Sequence, residues 1–482
     1  MALTFEITSA AGLWIDLADE STYGIGSGSG VGAPTIERLW RQATTYQSPR
    51  LVGTRVDVRN TEIPVHVRGT GVDTWAARYK LMARLIRDAE AGVKTWLRVQ
   101  FTGETNPTDY DVLGGDVPDA RYLSHDFVIK YITTYRPFKL TLSPWGRRSQ
   151  LTRNTATLVN GGGTANSGAT ISVTPDSERP TPLRIHMDGV AGVRTILMST
   201  RTKGTPANIP FPLHCETGTY TGYATTDIEA SVHISGANTV VAGAQNGNVW
   251  RLTTNTTGVS NEGILQWALN SPSEWYGRWR AFLRVDSLQS MANLDIHITY
   301  VGTDGVLVEN THVDDLHLTL GSDDLVDLGY VNFIKPPEGA ASASLNIKLR
   351  MAIAASSTTK TIDLDCLYLI PWDEWSFEGQ LNVAVGSSSS GATAILLDNL
   401  SDPSGFVVMT TTGIFTAEYI SAPRQVPLPR LLWVPKTPNR LFILLFDGDS
   451  TPGGIYNDHD LTLTTISTTI DHYDLYDLIR GA

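Results

Sequence analysis

The sequence predicts a mainly β fold: antiparallel β-sandwich domains, one amphipathic helix in the N-terminal domain and a central jelly roll. Three observations predict it. Apolar and polar residues alternate with period two in segment after segment, as in 55–68 (RVDVRNTEIPVHVR), 294–301 (LDIHITYV) and 462–470. Such alternation buries one face and wets the other, as antiparallel sheets do. Gly, Asn and Pro punctuate these segments as turns. And one segment alone departs from the period.

That segment is 73–92 (DTWAARYKLMARLIRDAEAG), where Trp75, Tyr79, Met82, Ile86 and Ala89 recur at steps of four, three, four and three. These steps line one face of a helix. Asp73 is expected to cap its start and Gly92 to close its end in the left-handed conformation, with Arg84 and Asp88 as an i,i+4 pair on the wet side. The plain use of such a helix is to pack across one sheet.

At 482 residues the chain is too long for one core and reads as several domains. Composition shifts at 160–168 (NGGGTANSG), 177–182 (SERPTP) and 371–379 (PWDEWSFEG) divide it into an N-terminal β domain over 1–150, a linker over 151–182, a jelly roll over 183–372 and a C-terminal β-sandwich over 373–482. Lys and Arg number 37 against 49 Asp and Glu, a net charge of −12, which repels nucleic acid and anionic lipid. Cys215 and Cys366, 151 residues apart and outside any CxxC spacing, are expected to be buried free thiols. The N-terminus has no basic segment followed by an apolar run, and no stretch has the ~20 apolar residues of a membrane span, so no secretory signal or anchor is expected.

The chemistry-bearing motifs mostly yield to plainer readings. Residues 28–33 (GSGVGA) fit the spacing of a dinucleotide fingerprint, but Pro34 follows and no βαβ unit surrounds them, so a hairpin-tip loop is expected. His312 and His317, five apart, fall on opposite faces of a strand and make no metal pair. The run Ser387 to Ser390 sits between Gly386 and Gly391 without a nucleophile elbow and reads as a turn. Acidic pairs occur at Asp314 with Asp315, Asp323 with Asp324, Asp447 with Asp449, and Asp458 with Asp460. A solvated turn is the ordinary reading for these, while Asp447 and Asp449 in DGDSTPGG are weak candidates for structural Ca²⁺. In 266–282 (QWALNSPSEWYGRWRAF), Trp279 is expected in the core, and Trp275 and Tyr276, beside a Ser-Pro-Ser turn, are candidate carbohydrate-stacking residues.

The order of elements in the first 150 residues, a strand and loop, a strand pair like 55–68, a helix like 73–92 and strands like 127–135 (FVIKYITTY), resembles the N-terminal domain of distal tail (Dit-like) proteins of long-tailed, siphovirus-type bacteriophages. The final 110 residues, with LPRLLWVPKTPNRLFILLFDGD and LTLTTISTTIDHYDLYDLIRG, resemble segments that close such proteins. The resemblance implies a structural virion protein of the tail tip or baseplate, made in the host cytoplasm. It implies a hexameric ring of copies of itself that joins the tail tube protein to the tip or hub protein, near the tape measure protein. DNA would pass through without being bound, no reaction would be performed, and no cofactor beyond structural Ca²⁺ would be needed. A 190-residue jelly roll exceeds what a ring needs and implies contact with a host cell-surface glycan, where six copies would give avidity. The alternatives are an envelope-polysaccharide depolymerase or glycosidase, acting through paired carboxylates, and a stand-alone carbohydrate-binding protein.

Overall fold

Alternation near the N-terminus becomes one eight-stranded sheet in which every neighbour is antiparallel. The computed structural model describes residues 4–17, 19, 22–25, 36–41, 50–56, 61–100, 105–118, 137–148, 150–158, 168–190, 193, 195–203, 209–216, 223–225, 234–242, 244, 247–254, 261–269, 272–288, 294–301, 307–316, 322–333, 345–353, 361–380, 392–400, 405–410, 413–416, 431–447, 455–458 and 466–477. They fall into two units: Met1–Thr152 with Asp176–Thr181 and Tyr473–Ala482, and Arg153–Pro175 with Pro182–His472.

In the first unit the strand order is Trp14–Asp16, Thr4–Ser9, Thr95–Gln100, Thr108–Asp116, Phe138–Arg148, Thr61–Val67, Tyr23–Ile25. Inward residues such as Phe5, Ile7, Leu97 and Val99 share a core with Trp75, Met82 and Ile86 of the helix Val72–Glu90. The helical face is the one expected. The N-cap is a correction: it is Gly71, not Asp73, and Thr74 serves it reciprocally, its Oγ1 accepting from Gly71 N at 3.0 Å and donating to Gly71 O at 2.8 Å. Asp73 sits in the first turn, where its charge still favours the helix dipole. Gly92 takes φ +84 at the other end, and Arg84 lies 3.7 Å from Asp88.

The second half of Phe138–Arg148 has the strand Leu475–Asp477 beside it, pairing Trp145–Arg147, on the side that Thr61–Val67 occupies further along. Arg148 lies 4.3 Å over the Tyr476 ring, and Ser177 Oγ donates to Leu475 O at 2.9 Å. The C-terminal strand therefore completes the N-terminal sheet.

The second unit holds two cores. One gathers Ile185, Met187, Ile196 and Met198 with Phe377, Ile395, Leu397, Trp433 and Ile470, from segments flanking the chain's middle. The other is built from 209–370, around Trp279, Phe282, Val331 and Tyr368, joined by Leu197, Phe442, Leu444 and Phe446. Strands Thr195–Arg201 and Asn439–Asp447 pair with each other and separate the cores: Ile196, Met198, Leu441, Ile443 and Leu445 face the first, Leu197, Phe442, Leu444 and Phe446 the second. Burial on both faces is why LFILLF reads as a continuous apolar run although its neighbours are antiparallel.

The linear division into domains is thereby corrected. Residues 151–182 are not a bare linker, since Gly168–Val173 pairs along Asn439–Asp447. Residues 373–482 are not a separate sandwich, since Ser376–Gln380 pairs with Thr195–Arg201, Ala392–Asp398 with Arg184–Asp188, and Leu475–Asp477 belongs to the first unit. The chain is nested in sequence: the segment 209–370 is inserted in the second unit, and the segments of the two units alternate along the chain.

Candidate functional site

The single-turn helix Pro272–Trp275 feeds the strand Gly277–Leu288 through Gly277, whose φ of +128 a side chain would strain. This tight junction returns the chain so that Trp279 Nε1 donates to Trp275 O at 2.7 Å and the two rings sit 5.3 Å apart. Phe333 meets both rings, and Phe442 meets Trp279 edge-on. Trp279 is buried as expected. Trp275 is buried too, which corrects its reading as a sugar-stacking residue: with no exposed area it can present no ring face to a ligand.

Tyr276 is half-buried, and the Lys203 ammonium lies 3.9 Å over its ring and donates to its hydroxyl oxygen. Arg201 Nη2 donates to the carbonyls of Glu274 and Tyr276 at 2.6 and 2.8 Å while lying 4.4 Å over Trp279. The ring is thus held by cations on a rigid backbone. Sequence reasoning missed a second aromatic group on the outer side of the same strand: Arg278 lies 4.0 Å over Tyr330, whose ring is 5.9 Å from that of Trp372, and Trp372 N donates to Arg278 O at 2.8 Å. The half-exposed Trp372 falls in PWDEW, which composition marks only as a boundary.

The sheet also carries ion pairs whose Asp partners are buried. Arg280 Nη2 donates to Asp327 at 2.5 Å and Nη1 to Glu378 at 2.9 Å, and Gly329 N donates to Asp327 Oδ1 at 2.8 Å. Burial pushes the Asp327 carboxyl up, and Arg280 pulls it back. Arg251 meets Asp363 through two hydrogen bonds of 2.6 Å, and Arg284 donates to Asp365.

Asp365 is the extra residue of a β-bulge, where pairing along Gly277–Leu288 steps from Arg284↔Cys366 to Val285↔Leu364. On the other side of its strand, pairing passes from Asn248–Thr254 to Leu213–His214 at this point. His214 Nδ1 lies 3.4 Å from Glu216 Oε1, and one ligand atom from each of His214, Glu216 and Asp365 lies within 4.8 Å of the others. All three residues are buried, and burial pushes the His214 imidazole down to about 4. Cys215 and Cys366, free and buried as expected, have thiols pushed well above the ordinary range by burial and, secondarily, by the Asp365 charge.

Asp447 ends the strand Asn439–Asp447, opposite Asn457, with its side chain outside the described residues, as Asp449 is altogether. Residues 28–33, 127–135 and 387–390, with His317 and Asp460, also lie outside them. His312, Asp314, Asp315, Asp323, Asp324 and Asp458 lie on strands whose side chains there are not described. No helix among the described residues is long and apolar enough to cross a membrane.

No protein-family model matches the chain, and no curated protein does. Among solved structures it is similar to a chain of the phage P2 baseplate in its activated conformation with Ca, at 11% identity over 76% of this chain and 98% of that one, TM-score 0.23. It is similar to the Dit protein of phage SPP1, at 10% identity over 76% of this chain and 100% of that one, TM-score 0.26. It is also similar to the CBM22-1 xylan-binding domain of Paenibacillus barcinonensis Xyn10C, at 14% identity over 34% of this chain and 94% of that one, TM-score 0.22.

Proposed function

We propose that the chain is a structural protein of a bacteriophage tail tip, forming a ring, sixfold by preference, between tail tube and tip. The observation that carries this reading is a face of the first unit's sheet on which large apolar side chains are exposed among the described residues. Among the described residues, the helix packs on one side of the sheet. On the other, Trp14, Thr8 and Trp96 stand in register across three strands, with Trp14 54% and Leu113 49% exposed. Exposed large apolar side chains on a sheet face mark interaction surfaces, and the flanking strands Trp14–Asp16 and Tyr23–Ile25 are only three residues long, which disfavours open-ended edge pairing. A face meeting a different face of the next copy closes a ring when its rotation closes.

The inserted sandwich is the part that a ring does not need. Its half-exposed Tyr276, Tyr330 and Trp372, set among Lys203 and Arg278, support a role in host-surface adsorption. Class averages of the purified chain test the ring: sixfold particles support it, and monomers at high concentration contradict it. Binding of the chain to host cell wall, against wall from non-hosts, tests adsorption separately.

A further inference from the structure

We propose that His214, Glu216 and Asp365 form a structural site for one divalent metal ion of the zinc or manganese class, seated where the inserted sandwich's sheet changes partner strand. The inference stands apart from the ring reading and needs neither oligomer nor glycan. Its basis is the donor set. An imidazole and two carboxylate groups converge from the strand pair Leu213–His214 and Thr361–Pro371 and from Glu216 just beyond the shorter strand, with one ligand atom from each within 4.8 Å of the others, all in the buried interior. The bulge at Asp365 is the device that aims a carboxylate to this point, since a regular strand would alternate it with Cys366.

Zinc-class ions hold nitrogen and oxygen donors at about 2.0–2.2 Å in a tetrahedron, which sets donor separations of about 3.3–3.6 Å; the 3.4 Å between His214 Nδ1 and Glu216 Oε1 already matches, and the widest separation in the cluster, within 4.8 Å, closes with a shift of about an ångström. Charge favours a cation. Two carboxylates, those of Glu216 and Asp365, meet in the cluster, and Arg284 donates to Asp365. Imidazole favours zinc over calcium, which takes about six to eight oxygen ligands, and the two carboxylates also suit manganese.

The test uses the full chain, stripped with chelator and titrated with Zn²⁺, Mn²⁺ or Ca²⁺ alone, following stoichiometry by calorimetry and stability by melting. We expect one equivalent of Zn²⁺ or Mn²⁺, a Tm raised by about 5 °C, and loss of both effects in His214→Gln and in Glu216→Gln. Should a variant fail to fold, Co²⁺ loading of the wild-type chain decides instead: visible bands of nitrogen and oxygen ligation without a thiolate charge-transfer band support the site. No uptake by the stripped wild type, stabilisation by Ca²⁺ alone, thiolate bands, or undiminished Zn²⁺ and Mn²⁺ binding in both folded variants would each overturn it.

Discussion

Ser376 Oγ donates to Ser199 Oγ at 3.1 Å in the buried interior, although 177 residues separate them. They are paired positions of adjacent antiparallel strands, and the inserted sandwich departs just after one and returns at the other. An insertion whose ends meet at neighbouring backbone positions leaves its host sheet intact, which is how one chain can nest three layers.

The shared strand Asn439–Asp447 makes this nesting measurable. Phe442 and Ile443 are adjacent yet serve different cores. Phe442→Ala should cost about 3–5 kcal/mol and Ile443→Ala about 2–5 kcal/mol. Hydrogen exchange should then speed up in Gly277–Leu288 and Thr361–Pro371 for the first variant, and in Arg184–Asp188 and Ala392–Asp398 for the second. Identical exchange patterns would mean that the two cores are one.

Trp275→Ala should act on stability rather than recognition. Removing a ring that touches Trp279 and Phe333 leaves a cavity worth about 3–5 kcal/mol. Urea unfolding reads this directly. A fully stable variant that has lost only glycan binding would return Trp275 to the ligand site.

Arg280 satisfies two carboxylates at once, so Arg280→Met should destabilise by about 3–5 kcal/mol by stranding Asp327. Adding Asp327→Leu should recover much of that loss. If the double variant is no better than the single one, packing rather than charge is what Arg280 supplies.

Tyr23 gives the first unit an alkaline limit. Burial pushes its hydroxyl up to about 12 from 10.0, the nearby Arg78 charge opposing the shift. The unfolded chain ionises first, so this stability is fully present below pH 10 and is lost as pH rises toward 12, by about 2–3 kcal/mol. The stability difference between the wild type and Tyr23→Phe should shrink by that amount between pH 9 and 12, read by denaturant melts. A constant difference would place Tyr23 in water.

The class of fold and the helix were legible because each shows in local periodicity, and Trp279 and the two cysteines because apolar residues in a β pattern are buried by default. The nesting was not legible: composition shifts mark where a chain bends, while pairings such as Ser199↔Ser376 and Trp145↔Asp477 depend on distant partners. Trp275 misled because a Ser-Pro-Ser turn promises exposure, and only the return at Gly277 shows that the ring folds under. The cluster of His214, Glu216 and Asp365 was invisible because it needs a bulge about 150 residues downstream of its first ligand.

The ring reading rests on the exposed apolar side chains of the N-terminal sheet being a place where copies meet. Mass photometry of the wild-type chain beside Trp14→Glu with Leu113→Glu, across a hundredfold range of concentration, asks this most directly. The account predicts a closed six-chain species for the wild type and folded single chains for the variant. A wild type that stays a single chain throughout, or a variant that assembles equally well, would contradict it.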